Sequence, residues 1–173
     1  YSVAADADLD ADPDVSDCDD GNANILSPRI NLRVNRSLAL CAGTYDLFTS
    51  NTVLVINASD ILLEGRGASL RGNHDGYAIN GSGYTTGIVN VTVRNMSVFD
   101  YKRGVLLQNM NNVTVQNMTV ATSDTSAFGI EVLSVNETYV IGNTVRTNGS
   151  SSTAIRVSYG VGGNVTDNFV NTS

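Results

Sequence analysis

A run of carboxylates near the start of the chain is the feature best suited to chemistry. From Asp6 the sequence reads DADLDADPDVSDCDD, with Asp at every second position before an Asp-Cys-Asp-Asp ending. On a turning loop such alternation brings hard oxygens towards one point, and Ca2+ takes about six to eight of them. Counting Asp6 as position 1, acids fall at the alternating ligand positions as Asp6, Asp8, Asp10, Asp12 and Asp14, and Asp17 closes the loop. Counting from Asp8 works equally, through Asp10 and Asp12 to a closing Asp19. The expected ligands are a subset of Asp6, Asp8, Asp10, Asp12, Asp17 and Asp19, with calcium as the cofactor. The alternative is a solvated acidic tail, which is the common form of a charge run. Strict alternation favours the cation, and without it the crowded carboxylates would repel and leave the segment disordered.

The remaining carboxylates suit catalysis poorly. Asp46, Asp60, Glu64, Asp75, Asp100, Asp124, Glu131, Glu137 and Asp167 are scattered. Hydrolysis of a glycoside would need two of them at a defined separation, and lyase chemistry would need a base beside a calcium-bound uronate. His74, the only histidine, lies in Asn-His-Asp-Gly and reads as a turn residue. The Asp100-Tyr101-Lys102-Arg103 cluster reads as a solvated loop, with contact to a sugar as its alternative. No catalytic residue is assigned, and the chain is read as no enzyme.

Net charge is −7 over 173 residues, with much of the acid in the first twenty, so nucleic acid is an improbable partner. No apolar run is long enough to span a bilayer. Two cysteines, Cys18 and Cys41, suggest one disulfide and an oxidising, extracellular or cell-surface location.

The elements that position these residues follow from repetition. Val, Ile and Thr supply strand formers, while Asn, Gly and Ser supply turns. An acidic segment, 1–28, gives way to a repeating body, 29–173. Three segments align without gaps from Gly104, Gly129 and Ala154, stepping Val105, Ile130 and Ile155 by 25 residues. Val115, Val140 and Val165 keep the step, as do Val120, Val145 and Val170. Val93 and Val98 take the same roles one coil earlier, VLVINASDILLEGRGASLRGN is a looser copy with a longer turn, and LALCAGTYDLF opens the series. One coil cannot bury its own apolar face, so neighbours must stack. The reading is an all-β, right-handed, single-stranded parallel β-helix, with a β-sandwich as the rival. Met118, Asn143 and Asn168 are expected at equivalent turn positions, Gly104 and Gly129 at a tight corner. Asp75 and Arg103 are expected to form an ion pair between coils. No two body carboxylates are expected at one ladder position, and the tyrosines (Tyr77, Tyr84, Tyr101, Tyr139, Tyr159) share none either.

The phrases LCAGTYDL, INASDILLEGRGASL, NVTVRNMSV and NNVTVQNMTV resemble the parallel β-helix repeat family, including NosD-like periplasmic and archaeal surface proteins. The acidic run with its DCDD ending, followed by GNANILSP, resembles the Asp-rich calcium motifs of thrombospondin type 3 and MopE-like surface proteins. Here Ala11 or Pro13 stands where those loops carry Gly, which bears on the turn more than on cation binding. The resemblance implies a cell-surface solenoid with calcium in its head.

Asn-X-Ser/Thr occurs at Asn35, Asn57, Asn80, Asn90, Asn95, Asn112, Asn117, Asn136, Asn148, Asn164 and Asn171. Part of this follows from Asn at corners before Val-Thr-Val strands, yet partial N-glycosylation of an exterior solenoid is expected. The leading expectation is a structural or adhesive surface protein, a filament or sheath subunit. A β-helix that binds or cleaves carbohydrate is the alternative, and cell-surface glycans are candidate partners. The repeat runs to GNVTDNFVNTS without a polar cap, so either the chain is cut from a longer protein or another subunit covers that end; head-to-tail assembly of copies is expected, by strand addition of the head or of Tyr1-Ser-Val-Ala.

Overall fold

The computed structural model describes residues 18, 22, 24–83 and 87–173. It is an all-β parallel solenoid of about six turns, with no helix among the described residues. Three parallel sheets run along it. The first stacks β1 (Ile25–Leu26), β3 (Leu38–Leu40), β6 (Ile61–Glu64), β9 (Val89–Arg94), β12 (Asn111–Gln116), β15 (Asn136–Ile141) and β18 (Gly163–Thr166). The second stacks β2 (Leu32–Val34), β5 (Thr52–Ile56), β8 (Tyr77–Ser82), β11 (Arg103–Gln108), β14 (Phe128–Leu133) and β17 (Thr153–Ser158). The third stacks β4 (Thr44–Asp46), β7 (Ser69–Arg71), β10 (Ser97–Phe99), β13 (Thr119–Thr122), β16 (Thr144–Thr147) and β19 (Phe169–Thr172).

Register matches the repeat. Val93, Val115, Val140 and Val165 pair in sequence along the first sheet. Leu70, Val98, Val120, Val145 and Val170 do so along the third, and Leu54, Ile79, Val105, Ile130 and Ile155 along the second. Apart from Val165 and Val170 on the last coil, which are half-exposed, these side chains fill a shared interior that no single coil could close. LALCAGTYDLF supplies β3 and β4 but does not open the series, because β1, paired with β3, and β2 precede it. Cys41, at the end of β3, is buried and forms a disulfide with Cys18.

Corners depend on residues that accept a left-handed backbone. Asn95 (φ 59°), Asn117 (52°), Gly142 (65°) and Asp167 (56°) occupy one corner, Asp60 (57°), Asn90 (56°), Asn112 (52°) and Glu137 (55°) another. Asn and Asp reach this region more cheaply than other non-glycine residues. Met118, Asn143 and Asn168 are equivalent, as expected, but lie one residue beyond the left-handed position. Asn143 is there for hydrogen bonding: it is 1% exposed and its Nδ2 donates to the Val115 carbonyl at 3.0 Å.

Three other expectations are corrected. Gly104 and Gly129 lie inside β11 and β14, not at a corner. A Cβ on Gly104 would sit 2.5 Å from both the Gly129 carbonyl oxygen and Val120 Cγ1, so close packing requires the glycine. Arg103 does not pair with Asp75, whose Oδ1 accepts from the Gly76 N–H at 2.8 Å; Arg103 turns outward to Glu131. Finally, Asp60 and Glu137 do share a ladder position, with Asn90 and Asn112 on the coils between. Three coil steps separate the two acids by roughly 14 Å, wide of the roughly 5–9.5 Å used in glycoside hydrolysis.

Candidate functional site

The corner that follows the third sheet gathers the most reactive side chains of the described body. His74 (φ 68°) follows β7 and Asp100 (φ 58°) follows β10, both held in the left-handed region. The His74 N–H donates to the Asp100 carbonyl at 2.6 Å, which locks these two turns together. Ser123, after β13, then reaches both: its Oγ lies 3.1 Å from His74 Nδ1 and 3.4 Å from Asp100 Oδ1. Asn148 and Ser173 continue the same row, and Ser173 Oγ donates to Asn148 Oδ1.

Beside this row lies a groove of about 250 Å3, lined by Asp100, Ala121, Thr122, Ser123, Arg146, Thr147, Asn148, Asn171 and Ser173. Arg146 is exposed, while Thr122 and Thr147 are each 2% exposed, with hydroxyl oxygens that have no hydrogen-bond partner. The lining offers hydroxyls, amides, one carboxylate and one guanidinium, a set that suits a polyhydroxylated ligand. It is a poor nucleophile site. Serine and carboxylate both approach Nδ1, so Asp100 does not orient the imidazole from its far nitrogen as a triad would. His74 and Asp100 are also half-exposed to water.

A second cluster covers the outer face of the second sheet. Tyr77, Arg103 and Phe128 stand at one ladder position. The Arg103 guanidinium carbon is 5.3 Å from each ring centroid. Its Nη1 donates to Tyr77 Oη at 2.9 Å and its Nε to Glu131 at 2.9 Å. A third cluster centres on Glu64, whose carboxylate accepts from the Arg66 N–H, Arg94 Nε and Asn95 Nδ2. Burial pushes this carboxyl up, but those donors outweigh it and hold it below the usual range. Both clusters tie coils together from outside.

Of the expected site residues, the body sequons can be placed. Asn35, Asn57, Asn90, Asn117, Asn136, Asn148, Asn164 and Asn171 are exposed; Asn80, Asn95 and Asn112 are half-buried. Asp6, Asp8, Asp10, Asp12, Asp17 and Asp19 lie outside the described residues. Among the described ones, no group of three or more His, Cys, Asp or Glu side chains could hold a metal ion. Tyr101 of the proposed sugar-touching cluster is fully buried, with its hydroxyl on the Leu47 carbonyl at 3.1 Å. Tyr77, Tyr101, Tyr139 and Tyr159 occupy four different positions, and Tyr84 lies outside the described residues. The His74–Asp100–Ser123 convergence was missed, although extending the 25-residue step past the strands aligns Ser123, Asn148 and Ser173.

No helix among the described residues is long and apolar enough to cross a membrane. The chain matches no family model, no curated protein and no solved structure.

Proposed function

We propose that this protein is an extracellular structural or adhesive solenoid, a glycosylated subunit of a cell-surface filament or sheath that assembles coil upon coil. One observation carries the reading. In the coil of β17, β18 and β19, Val165 and Val170 are 51 and 47% exposed, whereas Val115, Val140, Val120 and Val145 at the equivalent positions are fully buried. Val157, 39% exposed where its ladder partner Val132 is 1% exposed, adds to that apolar face. Such a face, with the unpaired edges of three strands beside it, is matched in shape and hydrogen bonding by another coil. Supplied by a second copy, that coil makes a head-to-tail contact, which propagates as an open fibre; supplied by more of the same chain, it lengthens the solenoid. The disulfide and the abundance of sequons support an exterior location. The resemblance to NosD-like and MopE-like surface proteins supports it too, and with it calcium in the acidic head.

The test is the assembly state of the intact, oxidised chain with calcium, by light scattering and electron microscopy. Regular filaments that Val165→Asp with Val170→Asp abolishes would support the reading. A chain that stays monomeric at high concentration would overturn it.

The groove beside Asp100 and Arg146 favours a second reading, a carbohydrate-binding solenoid. Glycan-array binding lost on Arg146→Ala would support that one.

A further inference from the structure

The eleven sequons differ in what their amide nitrogens already do. Asn95 Nδ2 donates to both oxygens of Glu64 at 3.0 Å. Asn90 Nδ2 donates to Asp60 Oδ1 at 2.8 Å, and Asn112 Nδ2 to Asn90 Oδ1 at 2.9 Å, so that three successive coils are stitched at one corner. Asn136 Nδ2 donates to Asn111 Oδ1 at 3.1 Å, and its own Oδ1 accepts from the Val161 N–H at 3.3 Å. Asn80 stands mid-strand in β8, paired in register with the buried Leu106, and its Oδ1 is buried. The other six (Asn35, Asn57, Asn117, Asn148, Asn164 and Asn171) are exposed, and none of them donates a side-chain hydrogen bond in the described structure. Two of these, Asn148 and Asn171, border the polar groove.

We infer that these six are the asparagines that carry N-linked sugar, and that the hydrogen-bonded Asn90, Asn95, Asn112 and Asn136, together with Asn80, half-buried in mid-strand, stay unmodified. The inference takes from the proposed function only that the chain reaches an exterior compartment.

The chemistry is direct. N-glycosylation replaces one hydrogen of Nδ2 by a sugar carbon, and this nitrogen is the atom that holds the next coil in the ladder asparagines. Coils are about 4.8 Å apart, so a pyranose on a ladder amide meets the neighbouring coil's side chain at the hydrogen-bonded distance. If transfer follows folding, the ladder amide is already engaged in a hydrogen bond. If transfer precedes folding, a sugar there keeps the coil from closing, and the chain is retained rather than secreted. Folded, secreted protein has the same pattern either way. At Asn35, Asn57, Asn117 and Asn164 the sugar projects into solvent. At Asn148 and Asn171 it lies against Asp100, Ser123 and Arg146, whose polar groups can bond its hydroxyls.

The test is secretion of the full chain, bearing one added sequon in a terminal tag, from a host that N-glycosylates. Enzymatic removal of the sugars converts each occupied asparagine to aspartate, which peptide mass mapping reads. Modification among the open six, together with absence of that mass change at Asn80 and the four ladder sites, is the expected result. Occupancy of the ladder sites equal to that of Asn148, in folded protein, overturns the sorting; so does a bare body beside an occupied tag. In parallel, protein from a non-glycosylating host isolates the structural role. There Asn95→Ala and Asn112→Ala should lower the melting temperature, while Asn171→Gln and Asn35→Gln should leave it unchanged. Equal effects across the four overturn the structural half. Because the host supplies the compartment and the monomer suffices, failure here leaves the assembly reading untouched, and failure to form filaments leaves the sorting untouched.

Discussion

Arg103 and Glu131, on adjacent coils, form an ion pair on the outer face of the second sheet with Nε 2.9 Å from Oε2, although only 3% of the glutamate side chain is exposed. The other carboxylate oxygen is 3.3 Å from Arg156 Nη1. Phe128 lies against both guanidinium groups, at 5.3 and 5.8 Å. One buried negative charge thus holds two partly exposed cations across three coils. Buried ion pairs gain little over a hydrophobic replacement, but removing one partner is costly.

Glu131→Gln should therefore cost about 1–3 kcal/mol in urea unfolding, since one charge is lost and both arginines keep their burial. The double replacement Glu131→Met with Arg103→Met should recover much of that loss. A double variant less stable than Glu131→Gln would show that the Arg103–Tyr77 contact, and not the charge pairing, carries the energy.

Glu64 makes acid stability testable. Burial raises its pKa, but the Arg66 N–H, Arg94 and Asn95 pull it down further, so the folded value lies below the unfolded one. A depressed carboxyl contributes stability above the unfolded value and loses it as pH falls through the folded value. Wild type should thus exceed Glu64→Gln in melting temperature at neutral pH, and the gap should close below about pH 4. A gap independent of pH would assign the effect to shape and not to charge.

Reduction reports on the Cys18–Cys41 bridge, which ties the acidic head to the end of β3 across a separation of 23 residues. Loop closure of that length stabilises by about 3 kcal/mol. Cys18→Ser, compared with wild type under oxidising conditions, should lower stability by roughly that amount, and adding reductant should bring the two together. Equal stability before reductant would mean that the segment is already fixed by other contacts.

Much of this fold was legible because the chain says it repeatedly. Val115, Val140 and Val165 sit one period apart, and a period of 25 residues with three strand-length pieces leaves few ways to bury them. Pairings between coils were less legible because charge complementarity is not periodic. Arg103 has Tyr77 below it and Phe128 above it at its own ladder position, and its carboxylate is three residues further along the next coil. Gly104 read as a corner because glycine marks turns more often than close packing, and only the neighbouring Gly129 carbonyl distinguishes the two. The groove by Asp100 was hidden for another reason. His74, Asp100 and Ser123 come from turns of different length, so no single spacing aligns them.

The interior asparagines allow the sharpest test of how corners are held. Asn143 Oδ1 accepts from the Met118 N–H at 2.9 Å, and Nδ2 donates to the Val115 carbonyl at 3.0 Å and to Asn168 Oδ1 at 2.9 Å. Asn168 repeats the pattern one coil on, accepting from the Asn143 N–H and donating to Val140. Each side chain closes backbone groups that the turn would otherwise leave unpaired in the core. Asn143→Met imitates Met118 and keeps the volume but strands those groups, at a cost of about 1–3 kcal/mol that should not vary with pH. Asn143→Asp keeps the acceptor and sets a carboxylate against two other acceptors. Burial raises the folded pKa of that new carboxyl above its unfolded value, so protonation favours folding and stability falls as pH rises through the folded value. The aspartate variant should then approach the methionine variant below about pH 4 and fall progressively behind it towards neutrality. Parallel pH profiles for the two, measured by thermal unfolding, would show that water and not Asn143 satisfies the corner.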